Sequence, residues 1–301
     1  MTTPTRIIDV HQHVFWHGWS DADLIANLDE QGVEKAVVLT WCITDVLDED
    51  GYERAFNPVH GVPGRRHVGL PLSDVVTAVH RYPDRLLVGY APDPTEPRAL
   101  GWLKAAASMH DVRVCGEWKF RLGLDDPRCL EIFKFCAEAG LPVLLHMDAP
   151  YLPDPESGGQ TYDPKWYGGT ADNLERALQA CPGTIFIGHG PGFWRYISGD
   201  ADTAAAAGYP SGPVREDGRI QALLDAYPNL YAELSANSGR NAIARDVDHG
   251  KPFLERYHDR LMFGRDGLDG DLHALLQSLD LPEDVTEAIY RRNAERLFRT
   301  D

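Results

Sequence analysis

Asp9-Val10-His11-Gln12-His13 closes the first apolar run of the chain. Two imidazoles two positions apart leave the same side of an extended strand, about 7 Å apart along the backbone, so both nitrogens can reach one cation. Alone, a His-x-His pair says little. Its weight comes from three further groups in matching positions: His146 ends Pro142-Val143-Leu144-Leu145-His146, His189 follows Ile185-Phe186-Ile187-Gly188, and Asp266 follows Leu261-Met262-Phe263-Gly264-Arg265. Any one of these polar groups could simply cap a strand. Five of imidazole or carboxylate type at strand ends predict a shared site, and their donor chemistry suits a divalent ion, Zn²⁺ first, with Mn²⁺, Fe²⁺ or Co²⁺ after it.

The elements that must bring these residues together recur along the chain. Eight short apolar runs, Arg6 to Val10, Ala36 to Thr40, Leu86 to Tyr90, Val112 to Trp118, Pro142 to His146, Thr184 to Gly188, Leu230 to Leu234 and Leu261 to Gly264, alternate with helical patterns. Those patterns include Asp21 to Gln31, Ser73 to Arg81, Pro127 to Ala139, Ala171 to Ala180 and Gly218 to Ala226, several opening at Ser or Asp and closing at Gly or Pro. Strands alternating with helices pair in parallel. Eight of them predict a (β/α)₈ barrel of the TIM type, formed by residues 1–301 as one domain, with chemistry at its C-terminal face. An open doubly wound sheet is the alternative, but no Gly-x-Gly-x-x-Gly follows any strand. Long loops at 41–71, 147–169 and 190–217 predict a pocket rim. Pro282 to Phe298 reads as a closing amphipathic helix.

With these residues in place the sequence resembles the amidohydrolase superfamily, in the branch of small metal-dependent enzymes related to aminocarboxymuconate semialdehyde decarboxylase. The motifs that carry the resemblance run from His11/His13 through Leu141 to His146 and Phe186 to His189 to Phe263-Gly264-Arg265-Asp266. The resemblance implies that His11, His13, His146, His189 and Asp266 line the metal site and that Asp266 shuttles the proton of the attacking water. Ser is common where this chain has Arg265; beside Asp266 on a strand, Arg265 is expected to point away and to be structural. The fourth strand ends Cys115-Gly116-Glu117-Trp118-Lys119-Phe120-Arg121, with Glu117 and Lys119 on one face. In the superfamily a Glu or a carboxylated Lys here bridges two ions. Glu117 reads either as that bridge or as a salt-bridge partner of Lys119, so one or two ions both stand, as does carboxylation of Lys119. His189 reads as a ligand or as a group polarising the substrate carbonyl.

A divalent ion lowers the pKa of water toward about 7 and polarises an electrophile. The leading expectation is therefore a metal-dependent hydrolase that opens a lactone, amide or ester in a small cyclic or carboxylated compound. The alternative is a metal-dependent decarboxylase or hydratase at the same site. Arg121, Asn237 and Arg240 could hold a carboxylate or carbonyl of the substrate. Trp41, with Trp16, Trp19, Trp118, Trp166 and Trp194, could wall a planar one.

Composition removes other partners. The chain carries 29 Lys and Arg against 46 Asp and Glu, a net charge of -17 that repels phosphate backbones and anionic lipid. No run of about 18 apolar residues and no signal-peptide core is present, so a cytoplasmic protein with a small-molecule substrate and without nucleic-acid or membrane partners is expected. The five cysteines form no Cys-x-x-Cys pair and predict reduced thiols. The family resemblance adds a homodimer as an expectation.

Overall fold

Eight apolar runs become eight parallel strands in the computed structural model of the protein, which describes residues 6–43, 56–60, 68–154, 157–202 and 208–300. The strands are β1 (Ile8–Gln12), β2 (Lys35–Val38), β3 (Leu86–Gly89), β4 (Val112–Trp118), β5 (Val143–His146), β6 (Phe186–His189), β7 (Leu230–Glu233) and β8 (Leu261–Met262). Each pairs with the next in chain order. Between β8 and β1 the Val10 amide donates to the Phe263 carbonyl at 3.0 Å, which closes the ring. With helices between the strands, this is the expected TIM barrel, and β4 faces β8 across it.

Local chemistry explains the helices. Ser20 caps Asp21–Glu30 in a capping box with Asp23. Asp126 caps Pro127–Ala139, which Gly140 ends at a φ of 63°, a left-handed position that favours glycine. Ala99–His110 was not foreseen: it has no side-chain cap, and its buried face is Ala99, Leu103 and Ala106, with two alanines that leave a weak periodic signal. The C-terminal segment forms as expected, but as helix Glu283–Glu287, a π turn Ala288–Arg292 and helix Asn293–Phe298.

The core has two layers. Ile8, Val10, Val37, Leu39, Val114, Leu144, Ile187 and Met262 fill the barrel, and Ala294 and Phe298 pack against them. A larger layer lies between strands and helices and contains Trp118 and Trp194, which therefore wall no substrate. The filled interior leaves the strands' C-terminal ends as the place for a site.

Two of those ends depart from simple alternation. Val10 belongs to the inner layer, so strict alternation would turn His11 outward, yet register shifts between Asp9 and Gln12 and His11 also faces inward. A second shift between Cys115 and Trp118 does the same for Glu117 after the inward Val114 and Gly116. Bulges of this kind re-aim side chains at barrel rims.

The long loops carry structure of their own. Trp41–Cys42 pairs with Gly69–Leu70, and Tyr151–Pro153 with Gln160–Tyr162, both antiparallel. Helix Pro191–Trp194 follows β6 directly. The rest of the 41–71 and 190–217 loops lies partly outside the described residues. No disulfide joins the five cysteines, and no described helix is long and apolar enough to cross a membrane.

The Arg265 side chain turns to Asp9 and Asn27 rather than to the ligand cluster, as expected. Its Nε donates to Asp9 Oδ2 at 2.7 Å, its amide to Asp9 Oδ1 at 3.1 Å and its Nη1 to Asn27 Oδ1 at 2.7 Å. Asp9 also accepts from Gln12 Nε2 at 2.8 Å, so one buried carboxylate ties β1 to the turn after β8. Asp9→Ala leaves the buried guanidinium uncompensated and is expected to cost about 3–5 kcal/mol in chemical denaturation. A loss under about 1 kcal/mol, the value of an exposed pair, would refute this role.

Candidate metal centre

Four imidazoles and three carboxylates converge inside the C-terminal end of the barrel. His11 Nε2 lies 3.3 Å from His13 Nε2. Asp266 Oδ1 is 3.6 Å from the first and 3.5 Å from the second. Glu117 Oε2 reaches His13 Nε2 at 3.5 Å. His11, Glu117 and His189 form one group of ligand atoms within 4.8 Å of one another, and His11, His13 and Asp266 form another. Two nitrogens about 2.1 Å from a tetrahedral ion stand about 3.4 Å apart, so the His11–His13 spacing fits a shared ion.

The other side of each ring is fixed. His11 Nδ1 donates to Glu233 Oε1 at 3.0 Å, and His189 Nδ1 to the same oxygen at 2.5 Å. His146 Nδ1 donates to Glu117 Oε1 at 2.6 Å, and His13 Nδ1 to the Leu39 carbonyl at 3.0 Å. All four Nδ1 atoms are therefore donors. In the neutral rings of His11, His13 and His189 the Nε2 is left as a lone pair, the form in which imidazole binds metal, whereas His146 Nε2 faces the acceptor Asp148 Oδ2 at 2.9 Å. Glu233 is held in turn by the Ser235 amide on Oε2 at 2.7 Å and the Ser235 hydroxyl on Oε1 at 2.8 Å.

The electrostatics ask for a cation here. Burial works against a charged His11, but Asp266, the hydrogen bond from Glu233 and Glu117 overcome it and push the imidazole up to about 10. Burial likewise opposes ionisation of Glu233 and Glu117, yet His189 and His11 around the first, and His146 with Lys119 around the second, hold both well below the usual carboxylate range. Burial dominates at His13 and lowers its pKa. Such a buried anionic nest is satisfied by protons or by a divalent ion.

Asp266 reaches the cluster from β8 through an unusual backbone. Its φ is 52°, in the left-handed region that Asp tolerates better than most residues, and its amide donates to the His11 carbonyl at 2.9 Å. The side chain keeps 22% exposure, so it touches both the cluster and the cavity above.

That cavity, about 310 Å³, is lined by His13, Glu117, His146, His189 and Asp266 below and by Trp16, Trp41 and Tyr167 at its sides. His146 stands beside the two ligand groups rather than within them: Glu117 holds one ring nitrogen and Asp148 Oδ2 lies 2.9 Å from the other. Asn237 and Arg240 line an adjoining cavity of about 120 Å³, which shares Ala236 and Asp266 with the first. Arg121 lines neither of these two cavities; its guanidinium stacks 5.6 Å from the Tyr167 ring centroid. Lys119 does line the main cavity, its Nζ 3.7 Å from the Trp41 ring centroid.

Sequence reasoning passed over Glu233 and Asp148. Glu233 ends an apolar run in the same strand position as His146 and His189, and that was the available signal.

The chain matches the amidohydrolase family over residues 8–300 and belongs to it. Solved structures share the fold. They include 5-carboxyvanillate decarboxylase from Sphingomonas paucimobilis, with 17% identity, a TM-score of 0.59 and 98% of this chain and 99% of that one covered. A probable 2-pyrone-4,6-dicarboxylic acid hydrolase from Acinetobacter baumannii, with citric acid bound, has 14% identity and a TM-score of 0.58 over 97% and 99%. A dihydroxybenzoic acid decarboxylase from Polaromonas sp. JS666, with bound manganese and the inhibitor 2-nitroresorcinol, has 15% identity and a TM-score of 0.56 over 98% and 97%. No curated protein matches the chain. An amidohydrolase-family TIM barrel with candidate metal-ligand residues at its mouth is thus what fold and site define.

Since one carboxylate orients two rings, Glu233→Gln is expected to weaken zinc binding by about 10- to 100-fold while the fold is kept. Competition against a fluorescent chelator, with circular dichroism alongside, checks this. Unchanged zinc affinity would contradict it.

Proposed function

We propose that the protein is a metal-dependent hydrolase that uses one divalent ion to activate water against a small cyclic or carboxylated substrate, a lactone, amide or ester. The observation that carries this reading is the shared tautomer of His11, His13 and His189: each Nδ1 donates to a fixed acceptor, which directs each Nε2 toward ligand duty. His11 supports the choice of one ion: it belongs to both ligand groups, its Nδ1 is occupied and its Nε2 has a single lone pair. Glu117, whose Oε1 accepts from His146 Nδ1, would then help hold that one ion. The nitrogen and oxygen donors, without thiolate, suit Zn²⁺ or Mn²⁺.

When bound, the ion supplies a more acidic water and a polarised substrate oxygen. The chain's own residues do the rest. Asp266, part exposed at the cavity floor, accepts the proton of the attacking water and delivers it to the leaving group. Glu233 keeps His11 and His189 aimed, and Trp16 and Trp41 wall a planar substrate and exclude water. Asn237 and Arg240 hold a substrate group that extends past Asp266 into the adjoining cavity.

Non-oxidative decarboxylation is the second reading. The single-ion arrangement favours it, because that chemistry needs no hydroxide held between two ions. Asp266 would then deliver its proton to carbon.

Protein purified without added metal is expected to contain about one equivalent of a transition ion by elemental analysis. Asp266→Asn should retain ion and fold and lose at least about 100-fold in turnover on whichever compound of a panel of lactones, pyrones and hydroxybenzoates the wild type consumes. Incorporation of ¹⁸O from water into the product supports hydrolysis; carbon dioxide without incorporation replaces it by the second reading. Full turnover by the metal-free protein would refute both.

A further inference from the structure

Helix Ala99–His110 is apolar on the side that meets solvent as well as on the side that meets the barrel. Its 12 residues include one Lys and no Arg, Asp or Glu, in a chain of which 25% is charged. Ala99, Leu103 and Ala106 pack inward, with Leu100 and Ala107 beside them. The outer face reads Gly101, Trp102, Ala105, Ser108 and Met109, all exposed and at the three- and four-residue spacing of one helix side. Trp102 keeps 38% of its surface in solvent and Met109 72%. A helix that is apolar all round belongs in a core, and an open apolar face of this kind marks a surface that another chain covers.

The order of sizes along that face says what covers it. Large and small residues alternate symmetrically about Ala105: Gly101 and Met109 stand on either side of it, and Trp102 and Ser108 do the same closer in. A second copy of the helix lying antiparallel across Ala105 therefore sets each Trp102 against Ser108 and each Met109 against Gly101, a bulky residue over a small one at every contact. Gly101 has a helical backbone, and a Cβ there would meet nothing within 4 Å, so the glycine relieves no crowding inside the chain. It costs the helix about 1 kcal/mol relative to alanine, and what it permits is a close approach from outside. The charges agree with this. Beside the helix runs a cleft of about 410 Å³ shared with helix Pro127–Ala139, and its charged residues are Lys104, Lys134, Glu131 and Glu138. Both signs in equal number let a two-fold axis set lysine against glutamate, whereas a chain of net charge -17 repels its own copy as a whole.

We infer that the outer face of Ala99–His110 is an interface between two copies of this chain, with the two helices antiparallel about Ala105 and the charged cleft as its rim. An aromatic and thioether centre with charged residues at the edge is the composition of a specific protein interface. The Arg98 guanidinium lies 5.3 Å from the Trp102 ring centroid, and the second copy seals the rest of that ring from water. The helix falls between β3 and β4 in the chain, and none of its residues lines the cavity at the ligand cluster. The pairing therefore leaves that cavity open, and the inference is independent of the metal-dependent reading.

Sedimentation equilibrium over a range of protein concentrations, with circular dichroism alongside, tests this. Wild type is expected to be a dimer. Gly101→Phe and Ala105→Glu, both at exposed positions, should fold as wild type does and raise the dimer dissociation constant at least about tenfold. Gly101→Met should weaken the dimer in the same way, and adding Met109→Ala to it should restore association, because the bulky and the small residue then change places. Tyr162→Ala, at an exposed ring outside this face, should leave the dimer as it is. A monomeric wild type overturns the interface. So does a dimer that Gly101→Phe and Ala105→Glu leave intact, a dimer that Tyr162→Ala dissociates, or a Gly101→Met/Met109→Ala double variant that fails to recover.

Discussion

One buried carboxylate organises the site. Glu233 accepts the Nδ1 protons of both His11 and His189 on a single oxygen, and those rings come from strands on either side of the barrel mouth. A free imidazole chooses between two tautomers; here the choice is removed, and each Nε2 is presented as a lone pair. The Leu39 carbonyl repeats the device for His13, while His146 is held on both sides, by Glu117 at Nδ1 and Asp148 at Nε2. The resulting nest joins ionised carboxylates to buried rings, a combination that is stable only with added positive charge.

The barrel supplies the rigidity this requires. Its interior is filled by aliphatic side chains, so the polar groups can gather only at the C-terminal end. Phase changes in β1 and β4 turn His11 and Glu117 inward. At β8 the left-handed backbone of Asp266 completes the set, and the Asp9–Arg265 pair behind it anchors the turn. Directing a carboxylate into a cation site is a use for which a non-glycine residue at positive φ is tolerated.

Much of this was legible in the sequence because two simple regularities agree. The apolar runs give the strands, and His146, His189 and Asp266 at or just after their ends give the mouth. Glu233 escaped because an acid closing the run Leu230–Glu233 reads as strand until its partners from β1 and β6 are in place. The inward turn of both Val10 and His11 depends on a bulge that residue identity does not announce. Ala99–His110 was hidden by the alanines on its buried face, and the Tyr151–Tyr162 hairpin by a loop of polar composition. Whether Glu117 bridges two ions depends on which atom meets which ring, a matter of ångströms beyond the reach of spacing along the chain. The tryptophans divide likewise: Trp16 and Trp41 face the cavity, whereas Trp118 and Trp194 pack behind the strands.

The account stands on convergence of these side chains about one cation. Crystals grown with zinc, with diffraction recorded on both sides of the zinc absorption edge, test it most directly. The account predicts a single anomalous peak within about 2.3 Å of His11 Nε2, His13 Nε2 and an Asp266 oxygen. Two peaks bridged by Glu117, or a fully occupied peak elsewhere with this cluster bare, would contradict it.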